Sequence, residues 1–354
     1  MNGSPMHTAV VILNWNGLPW LQRFLPQLIT HSAAHARIIV ADNGSTDGSV
    51  DWLRQHAPAA EVIQLKENLG FAGGYNAALE QVQAKYFLLV NSDVEVPPGW
   101  VTALEAHLEA RPDMAACQPK MLSFHHRTRF EHAGAAGGFI DRNGYPFCRG
   151  RIFDITEEDH GQYDDDRDVF WATGACLMIR SDAFRQVGGF DASLFAHMEE
   201  IDLCWSLRRR GWRIGYTSAT AVYHVGGGAL AYGDPRKTFL NFRNSLAVLT
   251  KQLHSRWIYY RILHRILLDL FASAKFTLEG HGAHARQVLR AHAHFLRWLP
   301  HLLRERRRLQ RLEERPDLTG MYHRSIAYDR YILGWRRFTQ LDRAAFDQAR
   351  RRSK

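Results

Sequence analysis

Three carboxylates crowd into one short stretch of the sequence, where they could perform acid–base chemistry. Glu199, Glu200 and Asp202 fill three of four consecutive positions and lead into an apolar helical face. Like charges at this spacing raise the pKa of at least one carboxyl group, which suits a general base. The plainer alternative is a solvated helix N-terminus, where the helix dipole favours acidic side chains.

A second acid follows a short apolar strand, in the tripeptide Asn91-Ser92-Asp93. A carboxylate at the end of a parallel strand can hold a hard divalent cation beside a diphosphate, whose oxygens supply further ligands. His224 ends a later β-rich segment, and imidazole with carboxylate is an acceptable ligand pair for Mn²⁺ if His224 faces Asp93. The alternatives are a turn at 91–93, since all three residues favour turns, and a structural histidine.

A glycine-rich turn runs from Glu67 to Asn76 and leads into a helix. Glycines let the backbone approach a phosphate or a ribose, and a helix N-terminus favours anions. The spacing matches neither the dinucleotide-binding GxGxxG pattern nor the phosphate-binding GxxxxGK[ST] pattern, so neither class of site is supported. An ordinary strand-to-helix connection is the alternative.

Alternating apolar strands and helices must position these side chains. Uninterrupted apolar runs are separated by helical segments, which predicts a parallel sheet covered on both faces. In such doubly wound sheets the ligand site lies beyond the carboxyl ends of the strands. The predicted strand ends carry polar residues at Asn14, Asp42, Asn68 and Asp93. The four predicted strands are Ala9–Leu13, Arg37–Ala41, Glu61–Leu65 and Tyr86–Val90.

The remaining elements are less regular in pattern. Residues 125–170 are rich in Gly, Asp and Arg, and we expect a long loop or small hairpins over the site. The next elements are a predicted strand at Phe170–Ile179, a helix at Glu199–Arg210 and a β-rich run at Ile214–Val225. From residue 234 onward the pattern is helical and basic, with a break at Pro235.

Taken in order, the motifs resemble those of the family 2 glycosyltransferases, in the rhamnosyltransferase-like subgroup that builds bacterial surface polysaccharides. The resemblance covers roughly residues 8–245 and implies the GT-A fold, a doubly wound α/β domain with a mostly parallel sheet. The seven motifs are VVILNWNG (10–17), ADNGSTDGS (41–49), ENLGFAGGYNAAL (67–79), NSDVEV (91–96), TGACLMI (173–179), FAHMEEIDLCWSLRRRGW (195–212) and YHVGGGA (223–229).

The resemblance also implies a role for each matching residue. Glu200 aligns with the catalytic base and Glu199 is its rival, because the pair here is Glu-Glu rather than Glu-Asp. Asp93 and His224 are the implied ligands of Mn²⁺ or Mg²⁺, since Asn91 removes one charge from the family's DxD motif. Asp42 would bond the imide edge of the nucleobase. The implied donor-binding residues are Leu13, Asn14, Trp15, Asp42, Asn68, Gly70, Asn76, Asn91, Ser92 and Asp93, and Thr173, Gly174 and Ala175 would line the acceptor and donor-sugar pocket.

The implied reaction is a single displacement with inversion at the anomeric carbon of a nucleoside-diphosphate sugar. The donor is dTDP-rhamnose or a UDP-sugar, because uracil and thymine present the same imide edge to Asp42. The acceptor is a saccharide or a lipid-linked saccharide. Two other classes stay open: a catalytically inactive nucleotide-sugar-binding or scaffolding protein on the same fold, and a nucleotidyltransferase, which would need a glycine-rich loop after its first strand that 14–17 does not supply.

Charge divides the chain into two parts. Residues 1–235, the predicted catalytic domain, carry 19 basic and 27 acidic side chains, whereas residues 236–354 carry 26 basic and 9 acidic ones. A basic amphipathic C-terminal region suits an anionic membrane face. A helical cap with a basic face, or a homodimer contact, is an equal alternative, and nucleic acid is not expected. Four widely spaced cysteines, no secretory signal and no membrane span predict a cytoplasmic protein, bound peripherally to the inner membrane face if the basic region meets lipid.

Overall fold

Each central strand has two apolar faces, and this determines the architecture of the chain. The structure is a computed structural model that describes residues 6–226, 233–311 and 318–346. In the first strand, Val10 and Ile12 face one hydrophobic core, while Ala9 and Val11 face the other. The same alternation holds in the second and fourth strands. Helices therefore cover the sheet on both faces, as the apolar runs predict.

The strands alternate with helices through the first two-thirds of the chain. The strands are β1 (Thr8–Asn14), β2 (Ala36–Asp42), β3 (Glu61–Gln64), β4 (Tyr86–Asn91), β5 (Val94–Glu95), β6 (Met114–Ser123), β7 (Gly138–Asp141), β8 (Pro146–Cys148), β9 (Arg151–Ile152), β10 (Ile155–Thr156), β11 (Arg167–Asp168), β12 (Cys176–Arg180), β13 (Arg213–His224) and β14 (Met321–Tyr322). The α-helices are α1 (Leu18–Ser32), α2 (Ser49–His56), α3 (Gly70–Leu79), α4 (Trp100–Glu109), α5 (Ser181–Gln186), α6 (Glu199–Arg209), α7 (Pro235–Gln252), α8 (Ile258–Leu278), α9 (Gly282–Arg311) and α10 (Ile326–Tyr331).

The main sheet has the strand order β11-β13-β6-β12-β4-β1-β2-β3, and β5 pairs with β13. Strands β1 to β4 and the β6–β13 pair are parallel, whereas β12 and β11 run antiparallel to their neighbours. The predicted doubly wound, mostly parallel sheet is confirmed. The strand predicted at Phe170–Ile179 is wrong over its first half, because the ladder begins only at Cys176. Thr173 instead bonds the Ala175 N–H with its own hydroxyl, which turns the chain before the strand.

A second, five-stranded sheet has the order β10-β9-β8-β7-β14. Its first four strands are the small hairpins expected within 125–170. Its last strand comes from the C-terminal part of the chain and pairs in parallel with β7. Asp141, at the end of β7, also accepts the N–H of Ile326 at 3.0 Å. The C-terminal region is therefore helical through α7, α8 and α9 and then returns to complete this sheet.

The C-terminal helices begin where the sequence predicts. Asp234 caps α7 by accepting the Arg236 N–H at 2.8 Å, and Pro235 takes the first helical position. The helix packs into the catalytic part, where the Lys251 ammonium pairs with the Asp202 carboxylate at 2.8 Å. None of the helices in the described ranges is both long and apolar enough to cross a membrane. The glycines at 227–229 in the last sequence motif lie outside the described residues.

Candidate active site

The ends of three neighbouring strands meet at one edge of the main sheet. Asn14 at the end of β1 is in register with Asp42 at the end of β2, and Leu13 is in register with Asn91 at the end of β4. This adjacency is the clustering expected from the sequence. Ser92 lies close by, since a Cβ added at Gly17 would sit 3.5 Å from its hydroxyl.

The predicted nucleobase residues have different surroundings. The Asp42 carboxylate is fully buried and accepts bonds from the Ser45 N–H and the Asn14 amide, at 2.9 and 3.1 Å. Both of its oxygens therefore have a partner already. The buried Asn14 Oδ1, in contrast, has no hydrogen-bond partner among the described residues. Trp15 is 42% exposed, so its ring is open to an incoming planar group.

The glycine-rich turn is held by side-chain amides and closes on another loop of the protein. Asn43 bonds the Asn68 side chain and the Gly70 carbonyl, both at 3.0 Å. Two N–H groups in the first turn of α3, those of Phe71 and Ala72, donate to the Phe195 carbonyl oxygen at 2.7 and 3.2 Å. A carbonyl of the protein thus caps this helix N-terminus, and anion binding there stays a prediction.

Asn76 has a structural partner. Its amide donates to the Phe190 carbonyl at 2.8 Å and accepts from the Phe190 N–H at 3.0 Å. These two bonds use both ends of the side-chain amide and join α3 to a loop 114 residues away. These bonds give Asn76 a structural role. Its donor-binding role stays a prediction that these contacts do not support.

Asp93 and His224 are adjacent because β5, which follows Asp93 directly, pairs with the end of β13. Asp93 Oδ1 lies 3.2 Å from His224 Nε2, and Glu131 Oε2 lies 3.1 Å from His224 Nδ1. All three side chains are buried. Burial by itself lowers the pKa of His224, but the two carboxylates outweigh it and raise that pKa to about 10. Without a metal, His224 is thus a buried cation between two anions.

The same arrangement fits a divalent cation. The 3.2 Å between Asp93 Oδ1 and His224 Nε2 is close to the spacing of neighbouring ligands around one ion with bonds of about 2.1 Å. Asp93 Oδ2 is buried and has no hydrogen-bond partner among the described residues. Glu131 holds the other ring nitrogen, as carboxylates commonly do for metal-binding histidines. In the described ranges, no three or more His, Cys, Asp or Glu side chains are arranged so that all of them could hold one metal ion. A bound ion would therefore need oxygens from its substrate.

Glu199 and Glu200 occupy the first turn of α6 but differ in how far their pKa is raised. Burial and the neighbouring Glu200 raise the pKa of Glu199 well above its usual value. Burial raises the pKa of Glu200 to about 7, because nearby backbone N–H groups and the Arg151 charge limit the shift. One oxygen of each carboxyl group is buried without a partner in the described part of the chain. Burial thus favours the neutral form of Glu199, while Glu200, with a pKa of about 7, can exchange a proton near neutral pH.

The turn Thr173-Gly174-Ala175 lies directly against Glu200. A Cβ added at Gly174 would lie 3.1 Å from the Phe71 ring and 3.6 Å from the Glu200 Cβ, so the absence of a side chain at Gly174 allows Phe71 to pack this closely. Thr173 is buried, and its N–H donates to the Gln118 side chain at 2.9 Å. The predicted pocket residues and the predicted base are thus neighbours.

A strained loop in front of α6 was not foreseen from the sequence. Phe195, His197 and Met198 all have positive φ, at 65°, 67° and 73°, which is unfavourable for residues other than glycine. Asn244 on α7 supports this loop by donating to the carbonyls of Leu194, Ala196 and His197 at 2.8–2.9 Å. No sequence signal marks Asn244, because its partners are about 50 positions away.

Arg151 brings a positive charge to the site from the second sheet. It lies close enough to Glu200 to lower that group's pKa. Burial lowers the pKa of His132, and the Arg151 charge lowers it further. Lys237 at the start of α7 acts on His132 and on His197 in the same direction. The second sheet and α7 thus surround the acids with basic groups, as a site for an anionic substrate requires.

Comparison with known proteins agrees with this geometry. The family described as "Glycosyl transferase family 2" matches residues 9–188, about half of the chain. The N-acetylglucosaminyl-diphospho-decaprenol L-rhamnosyltransferase of Mycobacterium tuberculosis (strain CDC 1551 / Oshkosh) is 28% identical, over 70% of this chain and 85% of its own. The low-salt glycan biosynthesis hexosyltransferase of Haloferax volcanii is 22% identical, over 77% and 90%.

Solved structures show the same fold. S. aureus TarS 1-349 in complex with UDP-GlcNAc superposes with a TM-score of 0.53 and 16% identity, covering 87% of this chain and 84% of that one. GalNAc-T7 with UDP, GalNAc and Mn²⁺ also gives 0.53, at 13% identity, over 70% and 48%. With acidic residues at the strand ends and a family match over these strands, the chain belongs to family 2 of the glycosyltransferases and is an enzyme that transfers a sugar from a nucleotide-sugar donor.

Proposed function

We propose that the protein is an inverting, metal-dependent glycosyltransferase that moves a sugar from dTDP-rhamnose or a UDP-sugar to a lipid-linked saccharide in cell-surface polysaccharide synthesis. The observation that carries this proposal is the placement of Glu200, a carboxyl group with a pKa of about 7, directly beside Gly174 in the predicted pocket turn. The lipid-linked acceptor is suggested by the mycobacterial relative, whose name specifies a diphospho-decaprenol substrate.

Glu200 is the proposed base. Its carboxylate removes the proton from the acceptor hydroxyl while that oxygen bonds to the anomeric carbon, and the bond from this carbon to the diphosphate oxygen breaks. The proton ends on Glu200, and the electron pair leaves with the nucleoside diphosphate. Burial and the neighbouring Glu200 raise the pKa of Glu199 well above its usual value, which favours its neutral form, and the base role is therefore assigned to Glu200.

The donor lies over the strand ends in this proposal. Trp15 and the free Asn14 Oδ1 face the nucleobase, and Ser92 lies between them and the acidic pair. Asp93 and His224 would hold Mn²⁺ or Mg²⁺, and Glu131 would orient the histidine. When bound, the cation supplies charge neutralisation for the departing diphosphate. Arg151 adds positive charge near Glu200, and Lys237 adds it near Glu131.

Nucleotide binding with and without Mn²⁺ tests the donor and metal sites. We expect UDP or dTDP to bind the native protein at least about tenfold more tightly in Mn²⁺, and Asp93→Asn to lose this gain, since loss of a ligand costs at least what loss of its supporting group does. Isothermal titration calorimetry gives both affinities. Arg54→Glu on α2 is the control, because Arg54 is an exposed side chain outside the site. Equal affinities with and without Mn²⁺ in the native protein would contradict metal dependence.

Turnover decides between an enzyme of this kind and a binding protein on the same fold. Incubation with a set of dTDP- and UDP-sugars and Mn²⁺ should release the nucleoside diphosphate, first by slow hydrolysis and faster with a polyprenyl-diphosphate saccharide acceptor. Binding of a donor without any release would instead favour the inactive scaffold.

A further inference from the structure

Helix α8 exposes many apolar side chains and buries charged ones, unlike an ordinary surface helix. The side that packs into the protein carries Ile258 and Ile262, but also Arg265 and Asp269, which are only 3% and 0% exposed. On the outward side, Phe271 and Leu278 are 74% and 88% exposed. The other exposed apolar residues of α8 are Tyr259, Tyr260, Leu263, Leu267 and Leu270.

The buried charged side chains of α8 are hydrogen-bonded to neighbouring parts of the protein, and these bonds fix the orientation of the helix. Arg265 pairs with Asp269 at 2.8 Å and donates to the Asn143 carbonyl and the Ser245 hydroxyl at 3.0 and 2.8 Å. The Tyr145 hydroxyl donates to Asp269 at 2.9 Å. Turning α8 about its axis to hide the leucines would break this network and leave a buried charge unpaired. The apolar side must therefore face outward.

Helix α9 continues the same surface with a row of arginines. Contacts from Asp269 to His292 and from Ser273 to Ala285 show that α8 and α9 run antiparallel, which brings Leu289 and Leu296 of α9 to about the levels of Leu270 and Leu263. Both α9 leucines are more than half exposed. Beyond them lies a helical stripe of exposed guanidinium groups, with members at spacings of three, four and seven residues: Arg286, Arg290, Arg297, Arg304, Arg308 and Arg311.

We propose that the apolar side of α8 and the arginine stripe of α9, together the α8–α9 surface, bind the interfacial region of an anionic lipid bilayer. Aromatic and aliphatic side chains next to a row of cations match the two layers of such an interface, the acyl boundary and the phosphate headgroups. A second copy of the chain fits less well, because two arginine stripes would face each other and repel. The proposal rests on the proposed function, since a lipid-linked acceptor would be held at such a surface.

The structure connects the α8–α9 surface to the proposed base. The C-terminal end of α8 carries Lys275, whose charge acts on the pKa of Tyr331 on α10. The Tyr331 ring packs on Phe153 at 5.4 Å, and Phe153 lies in the β9–β10 hairpin. The same hairpin begins at Arg151, the guanidinium that acts on Glu200. The C-terminal end of α8 and the hairpin that carries Arg151 are thus linked through Tyr331.

Vesicle sedimentation of the full chain tests the proposal. We expect binding to phosphatidylcholine–phosphatidylglycerol vesicles that is weak on phosphatidylcholine alone and falls with added salt. The double variant Leu267→Asp/Phe271→Asp should bind at least about tenfold less tightly, because it places charges in the acyl boundary. Arg290→Glu/Arg297→Glu should also weaken binding and reduce its salt dependence. All four positions are exposed, so circular dichroism and melting should match the native protein.

Two control variants keep the result specific to this surface. Met6→Asp replaces an exposed apolar side chain before β1, and Arg54→Glu reverses an exposed charge on α2, so both should bind like the native chain. Native-like vesicle binding by the α8 variant, or no binding by the native chain, would overturn the proposal. A concentration-dependent dimer that the α8 variant abolishes would overturn it in favour of a second copy. Slow donor hydrolysis without acceptor should be unchanged in every variant, and its absence from the native chain would count against the proposed function alone.

Discussion

At the scale of single residues, two adjacent glutamates differ in how strongly burial raises their pKa. The pKa of Glu199, which is 5% exposed, lies well above the usual value, whereas Glu200 lies beside Gly174 with a pKa of about 7. The sequence leaves both as candidate bases, because it contains no information on which of them is deeper. Burial makes the distinction, and two substitutions can test it.

The variant Glu200→Gln should lower kcat by about 10²- to 10⁴-fold, the range expected when a general base is removed. Donor affinity should stay within about threefold, since Glu200 acts on the acceptor. Glu199→Gln is the matched control: burial raises the pKa of Glu199 well above its usual value and so favours its neutral form, which an amide resembles, and kcat should fall by less than about tenfold. Steady-state kinetics with a saturating donor measures both. A larger loss for Glu199→Gln would exchange the two roles.

The pKa of Glu200 also determines a pH profile. The carboxylate is the active form, so kcat should rise about tenfold per pH unit at acidic pH, bend near pH 7 and become level about one unit higher. Rates over pH 5.5–8.5 provide the curve, and the residual activity of Glu200→Gln should lack the bend. A native profile that falls through this range would mean that the group must be protonated to act.

At the scale of elements, the site depends on a contact between two turns. The carbonyl of Phe195, in a loop with three positive φ values, caps α3 and leaves no room beside Gly70. A Cβ at Gly70 would lie 2.5 Å from the Phe195 ring and 2.6 Å from its carbonyl oxygen. The glycine in the turn thus permits the approach of protein backbone, whereas the sequence pattern alone suggests the approach of a phosphate.

Gly70→Ala should therefore destabilise the protein by more than a positive φ alone would. Gly188 is the matched control, since its φ of +84° is similar and a Cβ there meets nothing within 4 Å. We expect Gly188→Ala to cost about 1–2 kcal/mol of unfolding free energy and Gly70→Ala clearly more, with a loss of turnover as well. Urea unfolding measures both. Equal costs would mean that Phe195 moves aside freely.

At the scale of the whole molecule, the predicted boundary at residue 235 does not separate two independent folding units. Lys251 on α7 is buried between Asp202 of α6 and Asp191, and Asn244 holds the loop that precedes α6. Asp202, which the sequence places in the acidic cluster, is thereby the partner of an ammonium group. The acidic catalytic part and the basic helical part share these contacts.

Lys251→Met should cost about 3–5 kcal/mol, because it leaves Asp202 buried without its charge partner. Thermal and urea unfolding should both show the loss. Lys275→Met on the exposed face of α8 is the control, since its pair with Glu279 is open to solvent and contributes little. A small effect of Lys251→Met would imply that water replaces the ammonium group.

The sequence predicts those parts of the fold that depend on local pattern. Buried apolar runs that end in polar residues indicate the sheet, its covered faces and the edge where Asn14, Asp42 and Asp93 gather. The contacts of Glu131 with His224 and of Asn244 with the 195–198 loop join residues about 50 to 90 positions apart, and no periodicity encodes such distances. The exposed apolar face of α8 is a similar case: its spacing is visible in the sequence, but which side packs inward depends on Asp269 and its partners.

The pairing of β14 with β7 has a consequence for how the chain becomes active. Met321 and Ile140 are about 180 positions apart, and Asp141 accepts the Ile326 N–H from as far away. Contacts of such long sequence separation form slowly, because a large loop must close before they contribute any stabilisation. The main sheet can assemble from its own neighbouring segments first. The strands β7 to β10, among them the strand that begins at Arg151, pair with their sequence neighbours. During synthesis the fifth strand of this sheet is thus added last, once residues 321–326 have left the ribosome.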